Sequence, residues 1–130
     1  LKEGHRRFVL ELFSSLGQAH ELNEKTFDAF TAIVGSGPAY VFYMMEALVE
    51  AGVTLGMQRD QATHMVKGLF SGSATLAEKS ELHLSVLREM VTSPAGTTIA
   101  GTNVLDAHAV RSALVEAVKA ASERSKELAS

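Results

Sequence analysis

The stretch from Pro38 to about Val53 most constrains how this chain can fold. Tyr40, Val41, Phe42, Met44, Met45, Leu48 and Val49 put apolar side chains on nearly every side of a helix there. A helix that is apolar all round is buried all round. One domain of 130 residues can hardly wrap such a helix alone. The pattern therefore predicts that a second subunit covers it, in a homodimer or a larger homo-oligomer. A bilayer is the other environment to weigh. The most apolar run, Ala39 to Val49, contains Glu46 and is followed at once by Glu50. It falls short of the roughly 20 apolar residues that span a membrane, so no membrane association is expected.

The rest of the chain reads as further helices. Phe8, Val9, Leu12, Phe13 and Leu16 share one helical face, with Gly17 as a stop. Residues 18–22 are ambiguous and could form an edge strand. Asn23 suits an N-cap, opening a helix with Phe27, Phe30 and Val34. Gly35-Ser36-Gly37-Pro38 predicts a turn, with Pro38 first in the next helix. From about Asp60 to Glu78, the residues Ala62, Met65, Val66, Leu69, Phe70, Ser73, Leu76 and Ala77 form a helical stripe. Gly68 and Gly72 lie on another line of that helix. Each costs about 1 kcal/mol relative to Ala, which makes sense where a neighbouring backbone comes close. A short helix from about His83 to Val91 follows. Another starts at Gly96 or Thr97. A last one runs from about Ala109 to Leu128 and buries Val110, Leu114, Ala117, Val118 and Ala121. The architecture is all-α, with at most one stray strand near the front.

Composition excludes several functions. The net charge of -3, from 12 basic and 15 acidic side chains, gives no footprint for nucleic acid. Cysteine is absent, so there is no thiol nucleophile or disulfide framework. No secretory signal is visible behind Leu1 to Arg7. A reducing, cytoplasmic setting agrees with these features. The histidines His5, His20, His64, His83 and His108 show no metal-binding spacing, so no metal is expected. Glu46 and Glu50, one helical turn apart, are either paired carboxylates or exposed, salt-bridged groups.

The run Thr92-Ser93-Pro94-Ala95-Gly96-Thr97-Thr98 is the segment best suited to touch a substrate. Gly96 lets the backbone turn tightly and approach a ligand. Thr97 and Thr98 then open a helix whose first N–H groups have no internal partner and whose dipole favours an anion. A plain helix start that uses Ser and Thr as capping residues explains the same run. Gly35-Ser36-Gly37-Pro38 is not a dinucleotide fingerprint, because Tyr40 stands where G-x-G-x-x-G needs glycine.

Three segments together resemble a known family. They are Gly35-Ser36-Gly37-Pro38-Ala39-Tyr40-Val41-Phe42, then Leu87 through Gly101 around Ser93-Pro94-Ala95-Gly96-Thr97-Thr98, and then Glu116-Ala117-Val118 through Glu123-Arg124-Ser125-Lys126-Glu127-Leu128. Their order and spacing resemble the C-terminal domain of pyrroline-5-carboxylate reductases, over nearly the whole chain from Phe27 to Leu128. The resemblance implies a helical bundle of the 6-phosphogluconate dehydrogenase-like type that interleaves with a partner subunit. The Rossmann domain that binds NADP or NAD would lie outside this chain. Residues 1–22 would be the end of that nucleotide-binding domain, and residues 23–130 the dimerisation and substrate-binding domain.

The implied reaction, in proline biosynthesis, reduces 1-pyrroline-5-carboxylate to L-proline with NAD(P)H. By the same resemblance Ser93, Ala95, Gly96, Thr97 and Thr98 hold the substrate carboxylate. Thr98 is also the catalytic residue, with its hydroxyl on the ring nitrogen. Glu81 is a carboxylate near the substrate, and Ser36 and Gly37 are minor cofactor contacts. The chain departs from the family's usual pattern at Ala95 (usually Gly), Met90 (an amide), Leu84 (Pro), Val34 (Ser) and Ala107-His108-Ala109-Val110 (a Gly-Gly-Phe turn). These departures keep two alternatives open: a non-catalytic helical oligomerisation paralogue, and a reductase of another imino or keto acid.

Overall fold

A computed structural model describes residue 4, residues 24–92 and residues 96–129. The expected helix at Arg7 to Leu16, the ambiguous residues 18–22 and the Asn23 cap lie outside the described residues. So does the expected 1–22 remnant, Gly4 apart. Every described element is helical. In chain order they are α1 (Glu24–Phe30), a π-helical turn (Thr31–Gly35), α2 (Gly37–Thr54), α3 (Arg59–Lys79), α4 (Leu84–Met90), α5 (Thr97–Ala107) and α6 (Val110–Ala129). The all-α expectation holds.

The predicted turn at Gly35 to Pro38 is instead a bulge inside a helical path. The Ser36 N–H donates to the Thr31 carbonyl five residues back, at 3.2 Å, and the Ala39 N–H to the Ser36 carbonyl at 3.0 Å. Pro38 explains this. It has no N–H to give, and in a regular helix its ring would strike the carbonyl of Val34. Widening one turn makes room for the ring without ending the helix. As a result Thr26–Thr54 is one helical stretch of 29 residues, whose most apolar window has a mean hydropathy of 1.3. By length and composition alone that stretch could cross a membrane, which the Ala39 to Val49 run considered from sequence could not.

The chain divides into two compact units. In the first, residues 1–40 and 113–130, Ala32 of the π turn is buried. The Ser125 hydroxyl of α6 donates to the Asp28 carboxylate of α1 at 3.0 Å, across 97 residues of sequence. A part-buried bond to a charged acceptor contributes about 1.5 kcal/mol or more. The expected inward face of α6 is only half-buried at Val110, Ala117, Val118 and Ala121, and Leu114 is exposed.

The second unit, residues 41–112, holds the α2–α3 hairpin. Gly56, at φ +105°, closes α2. The Gly56 N–H donates to the Val53 carbonyl at 3.0 Å and the Met57 N–H to the Gly52 carbonyl at 3.0 Å. This pair of bonds is the Schellman pattern, and it satisfies carbonyls the helix end leaves unpaired. Gly52 lets the two helices close. A Cβ there would stand 3.2 Å from the Ala62 Cβ and 3.3 Å from the Met57 Sδ. Val49, Ala62 and Val66 form the core, with Met45, Val53, Met57 and Phe70 packed around it. The α3 stripe read from sequence is thus split. Ala62 and Val66 are buried, whereas Met65, Leu69 and Leu76 are more than half exposed. On α2 the only buried residue is Val49, so the described residues alone do not cover the all-apolar helix.

Candidate functional site

The candidate substrate loop joins α4 to α5 in the second unit. His83 starts α4 as its N-cap, its Nδ1 accepting from the Ser85 N–H at 3.2 Å. The sequence reading missed this role; Ser85 two residues on, at a helix start, was the available signal. The far end of α4 closes tightly. The Thr92 N–H donates to the Glu89 carbonyl at 3.0 Å, and the Thr92 hydroxyl donates to the Arg88 carbonyl at 2.7 Å. Thr92 therefore finishes α4 and turns its hydroxyl inward on the helix.

Ser93, Pro94 and Ala95 lie outside the described residues. The loop resumes at Gly96, the N-cap of α5, with φ 95° and ψ -2°. This is left-handed backbone, which costs a residue with a Cβ and suits glycine. Gly96 therefore has the freedom the sequence reading ascribed to it. Its carbonyl accepts from the Ala100 N–H at 2.9 Å and so begins the helix. Having no side chain, it cannot cap, and no acidic residue lies in the first turn of α5. The N–H groups of Thr97, Thr98 and Ile99 precede that first helical bond. They point out of the helix end with its positive dipole. Thr97 is exposed and Thr98 half-buried. The arrangement can hold a carboxylate on backbone N–H groups, with one or two hydroxyls beside it.

Glu81 lies in the same unit, exposed, in the connection between α3 and α4. Ser36 and Gly37 belong to the other unit. The Ser36 N–H is engaged by Thr31, which leaves its hydroxyl as the group a cofactor could use. Of the two readings for Glu46 and Glu50, the salt-bridged one fits Glu50, which pairs with Arg59 at 3.0 Å on the surface.

A family model described as pyrroline-5-carboxylate reductase dimerisation matches residues 24–128. The chain belongs to that family. Pyrroline-5-carboxylate reductase of Arabidopsis thaliana is 44% identical over 120 residues, covering 92% of this chain and 44% of the relative. The Synechocystis enzyme of the same name is 45% identical over 117 residues, covering 90% of this chain and 44% of its own. Among solved structures, the Plasmodium falciparum pyrroline carboxylate reductase with NADP bound superposes with a TM-score of 0.83 at 35% identity. It covers 100% of this chain and 52% of that one. The Coxiella burnetii pyrroline-5-carboxylate reductase gives 0.83 at 32%, covering 98% and 48%. The chain thus spans about half the length of the relatives it matches. The matched segment of this reductase family takes in Ser36, Gly37, Glu81 and the whole run from Ser93 to Thr98.

Proposed function

We propose that this chain is the substrate-binding and dimerising half of a reductase that forms L-proline from 1-pyrroline-5-carboxylate with NAD(P)H. The family match over residues 24–128 carries the reading. The bare helix start at Gly96, Thr97 and Thr98 supports it, because the substrate's fixed negative charge is a carboxylate of the kind such a helix end binds. In this reading Gly96, Thr97 and Thr98, with Ser93 and Ala95 of the same loop, hold the carboxylate. The Thr98 hydroxyl bonds the ring nitrogen and fixes the face of the imine. Glu81 adds negative charge near the ring nitrogen, which favours the protonated, cationic imine that accepts the hydride. The protonated imine is already electrophilic, so positioning supplies most of the rate.

The described residues do not make a dinucleotide cradle by themselves. None of them is in a strand, and the Ser36 N–H is already taken. NADP or NAD would be bound mainly by residues outside those described, with Ser36 and Gly37 as minor contacts, and would supply the hydride. We place the protein in the cytoplasm as a homodimer or larger homo-oligomer, bound to neither nucleic acid nor membrane. The apolar surface of Thr26–Thr54 is then covered by protein, which tolerates Asp28, Glu46 and Glu50 at its edges far better than hydrocarbon does.

The test is NAD(P)H oxidation by the longer protein that contains this segment, given the imine. Turnover that falls about 10- to 100-fold in Thr98→Val and recovers in Thr98→Ser is expected, the cost of one hydrogen bond made at the reacting nitrogen. No turnover with any cyclic imine by a folded protein favours the non-catalytic paralogue. Turnover only with a different imino or keto acid favours the other reductase.

A further inference from the structure

The connection from α3 to α4 is held by side chains and not by its own backbone. It runs from Ser80, the C-cap of α3, through Glu81 and Leu82 to His83, the N-cap of α4. Both caps have extended backbone. Among the described residues, no backbone–backbone hydrogen bond joins one residue of this connection to another. Two side chains take that place. The Leu82 N–H donates to the Ser80 hydroxyl oxygen at 3.0 Å, which closes a small ring around Glu81. The Ser85 N–H donates to the His83 Nδ1 at 3.2 Å, and the Ser85 hydroxyl stands 2.9 Å from the same nitrogen. Each is a side-chain bond to an N–H two residues on, which fixes a turn that the backbone alone leaves free. The imidazole nitrogen takes the part that an Asn or Asp oxygen plays at many helix starts.

Glu81, between the two braces, is exposed, and its carboxylate has no ion pair among the described residues. A carboxylate that only meets water does not need a fixed backbone beneath it. The helix that follows is tied at its far end as well, where the Thr92 hydroxyl donates to the Arg88 carbonyl. With seven residues, α4 is a strut of about 10 Å between the Glu81 connection and the start of the substrate loop.

We infer that Ser80 and His83 are positioning residues of the reductase site, which fix the reach of the Glu81 carboxylate toward the ring nitrogen. The inference rests on the proposed function and on the part of Glu81 in it. In this chain the braces have more to hold. Leu84 stands first in α4, where the family usually has Pro, so φ is not locked there in advance. His83 and Ser85 supply by hydrogen bonds the restraint that a proline ring supplies covalently. Loss of a brace leaves Gly96, Thr97 and Thr98 in place for the substrate carboxylate. It lets the Glu81 backbone swing, so the cationic imine loses its counter-charge while the carboxylate keeps its seat.

The test uses the longer protein that contains this segment, with the imine as substrate. Cyclopentanecarboxylate, which has the ring and the carboxylate but no nitrogen, serves as a competing ligand. His83→Ala should lower kcat/KM about 10-fold and Ser80→Ala about threefold, while the inhibition constant of cyclopentanecarboxylate moves by less than about twofold. His83→Asn caps without an imidazole and should recover kcat/KM to within about twofold of the unmodified protein. In a Glu81→Gln background His83→Ala should have no further effect, because both changes remove one interaction. Where His83→Ala does not fold, Ser80→Ala and its rescue by Ser80→Thr carry the same comparison. A further drop of about fivefold or more in the Glu81→Gln background means a general loosening of the site and overturns the inference. So does a loss of cyclopentanecarboxylate binding as large as the loss in kcat/KM. Failure of Asn to rescue assigns the effect to the imidazole itself and overturns it too. Full activity in both His83→Ala and Ser80→Ala, with Glu81→Gln slow, overturns the inference and leaves the proposed function standing. An unmodified protein that turns over no imine overturns both.

Discussion

Two helix junctions in the second unit face the same problem and solve it differently. Between α2 and α3 the chain reverses through Gly56 at φ +105°. Between α5 and α6 it turns through Ala109 at φ 53°, the one positive-φ residue other than glycine among those described. Both junctions use the same opening bond. The Gly56 N–H reaches the Val53 carbonyl and the Ala109 N–H reaches the Asp106 carbonyl, each at 3.0 Å. Both are also straddled by an acid before and an arginine after: Glu50 with Arg59 at 3.0 Å, and Asp106 with Arg111 at 3.3 Å. The difference is the residue in the left-handed position. Gly56 takes it without strain, whereas Ala109 carries a Cβ against the backbone. The turn type is set by where the two helices must go, and the residue decides only what that turn costs.

The largest expected effect comes from Gly56→Val, which places a branched side chain at φ +105°. No atom lies within 4 Å of the new Cβ, so the penalty is backbone strain alone. A loss of about 2 kcal/mol in urea unfolding is expected, and a loss under about 0.5 kcal/mol would mean the turn re-forms in another shape. Next is the reverse change, Ala109→Gly, which should stabilise the chain by about 1 kcal/mol. No gain in the same unfolding measurement would show that Ala109 is unstrained and the two junctions are alike. The smallest is Arg111→Ala. Its ion pair with Asp106 is mostly exposed, so the change should stay within about 0.5 kcal/mol. A larger loss would mean that the ion pair, and not the backbone, holds this junction.

The residue pattern made much of this legible in advance. Helical period placed α3, α4, α5 and α6 to within a residue or two, since one apolar stripe suffices to mark each. Gly96 was legible as a pivot because only glycine is free at positive φ, and it stands there at 95°. Ala109 was legible in part. The family's usual glycines at that turn pointed to special backbone, and the structure shows which of the two alanines bears it. The Gly35 to Pro38 segment was misread as a turn. Proline reports that a hydrogen bond is missing, but a helix can absorb that loss by widening as well as by stopping.

By itself, the sequence determined that this chain is helical, where α3, α4, α5 and α6 run, and that α2 has a large apolar surface to cover. It also singled out the start of α5 as a candidate place for an anion. Only the tertiary structure decided which apolar residues this chain covers itself. Met65 and Val66 are neighbours in one stripe, yet Val66 is buried against α2 and Met65 stands open. Periodicity gives the direction a side chain faces along its own helix. What lies in that direction depends on how a second helix crosses, and Met65 and Leu69 stand more than half exposed among the described residues.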